Sequence, residues 1–86
     1  MSNVWLLPPD TDSAPSAAGE DLLVRVSGDD AEIARVSNGK AEWLGSVPAS
    51  SLGTLPAAGG EPTQVEDQTA LIAVQGAASA LVERGG

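Results

Sequence analysis

The side chains able to do chemistry in this sequence are carboxylates, one lysine and a few serines. Acidic pairs stand at Asp29-Asp30 and Glu66-Asp67, with single acids at Asp10 and Asp12. Neighbouring carboxylates can split acid and base work when their environments push their proton affinities apart. They also offer the hard oxygen ligands that calcium accepts. Neither chemistry is expected. Asp29-Asp30 lies in the turn pattern Ser27-Gly28-Asp29-Asp30, where Asp is common because it hydrogen-bonds nearby backbone. Glu66-Asp67 lies at a helix start, where acids oppose the positive end of the dipole. The calcium loop with its closing bidentate Glu is missing.

The other chemistries lack a partner residue. Ser46, Ser50 and Ser51 have no histidine to activate them, because the chain holds none, and Lys40 is the only lysine. Cysteine is absent too, which excludes a disulfide scaffold, a thiol nucleophile and a zinc knuckle. Gly59-Gly60 is not followed by the Lys and Ser or Thr of a phosphate cradle. The expectation is a non-enzyme with no cofactor and no metal site.

Charge narrows the partners. Twelve acidic residues against four basic ones give a formal charge of −8 over 86 residues. A phosphate backbone or an anionic membrane surface calls for clustered Lys and Arg, so neither direct nucleic-acid binding nor membrane insertion is expected. No run approaches the length of a spanning helix, and the first residues lack the basic and apolar regions of a secretory signal. The expected location is cytoplasmic or virion-associated.

Binding through apolar anchors remains. The only aromatic residues are Trp5 and Trp43, and aromatic side chains dominate interaction hot spots. Trp5, Leu6 and Leu7 form a short apolar patch stopped by Pro8-Pro9, and Trp43 shares a strand face with Val36. These five residues, Trp5, Leu6, Leu7, Val36 and Trp43, are the expected partner-binding set.

The elements that carry them are legible in part. Asn38-Gly39 is a strong signal for a two-residue hairpin. Pairing outward from it sets Ser37 against Lys40, Val36 against Ala41, Arg35 against Glu42, Ala34 against Trp43 and Ile33 against Leu44. A second turn at Gly28-Asp29 sets Val24 against Ile33 and Arg25 against Glu32. Two opposite-charge pairs fall into register, as cross-strand stabilisation favours. The strands lie near 22–27, 31–37 and 40–44. Leu22, Val24, Val26, Ala31, Ile33 and Leu44 make the core face; Leu23, Ala34, Val36 and Trp43 lie on the other.

The flanks comprise an arm, a connection and a helix. Residues 1–20 form a flexible N-terminal arm with a sticky tip at 4–7; an edge strand of the same domain is the alternative. Residues 45–62 form a Pro/Gly-rich connection in which Leu44-Gly45-Ser46-Val47-Pro48 is echoed by Leu52-Gly53-Thr54-Leu55-Pro56. Thr63 ahead of Glu66 has capping-box spacing. Leu71, Val74, Ala78 and Leu81 recur at helical steps, which predicts a helix across 63–84. The rival is a strand over 69–75 and then a short helix from Ala77. The fold class is therefore α+β: a small three-stranded antiparallel meander with a C-terminal helix and an extended N-terminal arm, the domain spanning 21–86.

Two short stretches bear a likeness to known families. Leu23-Val24-Arg25-Val26-Ser27 resembles the start of the cytoplasmic domain of L-type proteins of type II secretion, which implies an actin-like fold and an ATPase partner. That fold is far longer than this chain. Leu71-Ile72-Ala73-Val74-Gln75-Gly76 resembles a stretch of folate-dependent aminomethyltransferases. Those are several times longer, and their Gly is usually followed by Pro where Ala77 stands here. Length excludes both whole folds, and no family is assigned.

A chain this short hides only about 60% of its unfolded surface, and its large aliphatics are nine Leu, eight Val and two Ile. Such a core favours borrowing area from a neighbour. The expected role is a non-catalytic structural or protein-interaction subunit of a larger assembly or homo-oligomer, of which a virion accessory or cement protein is one version. The alternative is an acidic inhibitor that blocks the basic nucleic-acid-binding surface of a partner protein.

Overall fold

The computed structural model describes residues 3–9, 11, 19–37, 40–53, 55 and 60–85. The strands are β1 (Val4–Leu6), β2 (Leu22–Ser27), β3 (Asp30–Ser37), β4 (Lys40–Pro48) and β5 (Thr63–Gln64). A 3-10 turn, Ala49–Leu52, comes after β4, and the helix α1 (Gln68–Gly85) comes after β5. The five strands form one mixed sheet in the order β4-β3-β2-β1-β5.

The expected meander of β2, β3 and β4 is present but is only part of the sheet, so the three-stranded antiparallel fold class is corrected to a five-stranded mixed sheet with one C-terminal helix. The reason is the open edge that β2 would otherwise present. Residues 4–6, read as an arm tip or an edge strand, run parallel to β2, with Val4 opposite Leu22, Trp5 opposite Leu23 and Leu6 opposite Val24. Leu22 N donates to Asn3 O at 2.9 Å and Leu7 N to Val24 O at 2.7 Å. Pro8 then ends the ladder, because proline has no N–H to give. On its other side β1 takes β5 in antiparallel register, and Val65 N donates to Val4 O at 2.7 Å. Thus β1 is an interior strand.

Within the meander, Ser37–Lys40, Val36–Ala41, Arg35–Glu42, Ala34–Trp43, Val24–Ile33 and Arg25–Glu32 pair as expected. The turn residues Asn38 and Gly39 lie outside the described residues. Ile33 does not face Leu44. It faces Gly45, and a β-bulge falls between the Ile33 and Ala34 positions. The extra residue resets the alternation of β4, so Leu44 and Val47, three positions apart, both pack on the helix side. This lets β4 continue to Pro48, through residues read as loop. In the echo of that stretch, Leu52 and Gly53 lie at and just after the 3-10 turn, with Leu52 fully buried, and Thr54 and Pro56 lie outside the described residues.

The helix begins later than the capping-box spacing suggests. Thr63 belongs to β5, and Asp67 is the cap: its Oδ1 accepts Thr69 N at 2.9 Å and its carbonyl accepts Leu71 N. A single helix with Gly76 inside it replaces the rival strand over 69–75. Val74, Ala78 and Leu81 face the sheet, whereas Ile72 points to solvent.

Two apolar layers result, one on each side of the sheet. The layer between α1 and the sheet holds Val4, Leu6, Val24, Ala31, Ile33, Leu52 and Val65 packed against Ala70 and Val74 of the helix, with Leu22, Val26 and Leu44 at the margin. The opposite side holds Leu7, Leu23, Ala34 and Val36, flanked by Trp5, Ala41 and Trp43. The face assignment of the meander read from sequence holds on both sides.

Candidate interaction surfaces

Of the five residues expected to bind a partner, Leu6, Leu7 and Val36 are buried within the chain's own layers, and Trp5 and Trp43 are half-buried. Trp5 is held by Asp21, which is itself only 2% exposed. The indole Nε1 of Trp5 donates to Asp21 Oδ2 at 3.0 Å, and Asn3 N donates to Oδ1 at 2.9 Å. The Asp21 carbonyl accepts Val36 N at 3.2 Å. One residue therefore fastens the start of β1 to the end of β3. Sequence reading missed it because its partners lie 16 to 18 positions upstream.

Replacing Asp21 by Ala is expected to cost about 1–3 kcal/mol, since the part-buried indole N–H of Trp5 and the backbone N–H of Asn3 both lose their carboxyl acceptor. Urea unfolding monitored by Trp5 emission reads the loss. An unchanged midpoint would contradict the fastening role.

Trp43 is on the face opposite the helix, under the Arg25 guanidinium, which sits 4.3 Å from the ring centroid. Arg25 also contacts Glu32 at 3.1 Å and donates to the Thr11 carbonyl at 3.4 Å. The other predicted charge pair, Arg35 with Glu42, closes to 2.8 Å on the exposed surface. The hydrogen bond from Arg35, aided by its charge, holds the Glu42 carboxyl below its ordinary 4.5. A depressed folded value means the pair's contribution is complete above pH 4.5 and fades as pH falls through the folded value. Titration of the Glu42 carboxyl by carbon NMR should give a midpoint under 4.5, returning to the ordinary value in Arg35→Gln. Equal midpoints in the two proteins would dismiss the pair.

Of the carboxylates considered for chemistry, that of Asp67 has a structural role, and the other described ones stand at turns and element ends. The Asp29 carbonyl accepts Ala49 N at 2.8 Å, Asp30 opens β3 exposed, and Asp67 caps α1. Asp10 and Asp12 lie outside the described residues. Among the described residues no group of three or more acidic side chains is placed to hold a metal ion. Ser51 Oγ donates to the Pro48 carbonyl at 2.7 Å, and Ser46 and Ser50 stand at or near the surface.

Three surface features remain. The outer side of β4 is unpaired among the described residues. Val36 N donates to Asp21 O, away from β4, so Arg35 and Ser37 bond to β4 and the backbone groups of Ala41 and Trp43, opposite Val36 and Ala34, point outward. Second, Ile72 is 70% exposed and Val82 45%. About 15 Å of helix separates them, so they do not form one patch. Third, a groove of about 440 Å³ runs between the C-terminal half of α1 and the sheet, over Leu22 and Leu44. Small Ala78 leaves room there, with Val82 as one wall and Glu20 and Glu83 among the lining residues. Sequence reading did not find the groove, and Ala78 within the apolar stripe was its only signal.

Among the described residues no helix is long and apolar enough to cross a membrane. Comparison of the chain with protein families, curated proteins and solved structures finds no match, so the two short likenesses gain no support.

Proposed function

We propose that this chain is a non-catalytic protein-interaction subunit that attaches to a larger assembly, with a virion accessory or cement protein as one form of that role. The observation that carries the reading is the outer edge of β4. A bulge at Gly45, Pro48 at one end, and the charges of Lys40 and Glu42 guard it against indiscriminate pairing. The backbone of Ala41 and Trp43 stays open between these guards, as strand addition by a partner requires.

The test is photo-cross-linking in the native host, with a benzophenone amino acid placed at Ser46 on β4 and, as a control, at exposed Glu61. One discrete adduct from position 46 and none from 61 is the expected result. No adduct from position 46, or the same products from both, would overturn the reading.

The acidic-inhibitor reading has its own support. Arg25 and Arg35 are committed to Glu32 and Glu42, whereas Glu20, Asp29, Asp30, Glu61, Glu66 and Glu83 enter no ion pair among the described residues. A partner drawn by that surface is basic, and its adduct yield falls steeply with added salt.

A further inference from the structure

We infer that the groove between α1 and the sheet is a docking slot for an extended segment of a partner protein carrying one or two aliphatic side chains beside Lys or Arg. The inference rests on the protein-interaction reading and names the chemistry of one contact. The floor of the groove is aliphatic, made by Leu22, Leu44 and Ala78, and Val82 stands 45% exposed as its wall. A volume of about 440 Å³ lies within the roughly 300–1,000 Å³ typical of sites that accept a small ligand. That is room for a pair of side chains.

Charge selects the occupant. Glu20 and Glu83 line the groove without an ion-pair partner among the described residues. Arg35, the one cation lining it among the described residues, already spends its charge on Glu42 at 2.8 Å. The rim is therefore net acidic around an apolar floor. A fatty acid or another anionic amphiphile would meet repulsion at the rim. A second copy of this chain, at −8, would meet the same field. A segment with an aliphatic residue next to a base satisfies both the floor and the rim.

The experiment uses the full chain and a dye-labelled probe peptide of two leucines flanked by arginines. Two control peptides replace the leucines by serine or the arginines by glutamate. Fluorescence anisotropy is expected to saturate with the first peptide only. Ser79→Trp, at an exposed position lining the groove, plugs the slot and should weaken binding about tenfold or more. Val82→Ser removes the wall at a position that folding scarcely uses and should weaken it roughly threefold. Glu20→Lys with Glu83→Lys should weaken it at low salt and matter less at high salt. Absence of saturation, equal binding of the serine peptide, or equal binding by wild type and both groove variants would overturn the inference. The cross-link at Ser46 probes another part of the surface, so a discrete adduct there with no peptide binding here would overturn the slot alone.

Discussion

Deleting residues 1–20 is expected to abolish cooperative folding, not to release a tether. The deletion removes β1, whose Val4 is fully buried, together with Leu6 and Leu7, which are 2% and 1% exposed. Each such side chain stabilises by about 1.5–3 kcal/mol. Together they approach the whole stability of a small domain, about 5–15 kcal/mol. The deletion also strands β5, which pairs with β1, and strips Asp21 of two donors. Circular dichroism during urea titration should show no sigmoidal transition in the truncated chain. A retained transition with an unchanged midpoint would mean that β1 contributes nothing. Leu6→Ala is the milder form of the same experiment, with an expected loss of about 2–5 kcal/mol.

The second large effect is expected at Gly45. Its φ is 153°, inside the range L side chains avoid, and an added Cβ would stand 2.9 Å from Leu81 Cδ2. Leu81 can yield at its tip, but it is 9% exposed and belongs to the layer that joins α1 to the sheet. Gly45→Val adds backbone strain and overpacking at one point, each about 1–3 kcal/mol, so a loss of about 2–6 kcal/mol is expected. Gly76→Ala, on α1 with open space around it, should instead be neutral or stabilise by up to about 1 kcal/mol. The thermal melt should fall for Gly45→Val and hold or rise for Gly76→Ala. A Gly45→Val protein as stable as wild type would refute the close approach.

Distance along the chain decides which parts of the fold sequence reading can see. The meander is legible because its turns are short and its two charge pairs, Arg25–Glu32 and Arg35–Glu42, select one register. The bulge leaves a fainter trace: Leu44 and Val47 are both aliphatic at odd spacing, so the alternation has to slip between them, and a glycine stands ready. By contrast β1 is three residues long and its partners begin at Leu22 and Thr63. No local pattern encodes pairing over such separations, so Trp5, Leu6 and Leu7 look like a free apolar patch. Thr63 misleads in a different way, because a β-residue three positions before Glu66 mimics a capping box. Leu6 and Leu7 are consumed by the layers that β1 completes, and Val36 is buried beside them.

The placement of β1 between β2 and β5 also sets a schedule for synthesis. The segment at Val4–Leu6 is made about sixty residues before Thr63–Gln64, which at roughly 5–20 residues per second is a wait of about 3–12 s. During that interval the local hairpins of β2, β3 and β4 can close, since short-range contacts form first. Val4 and Leu6 must meanwhile leave one flank of their strand bare. The segment that comes early off the ribosome is thus finished late, and the nascent chain is most open to misassociation in the seconds before residue 64 appears.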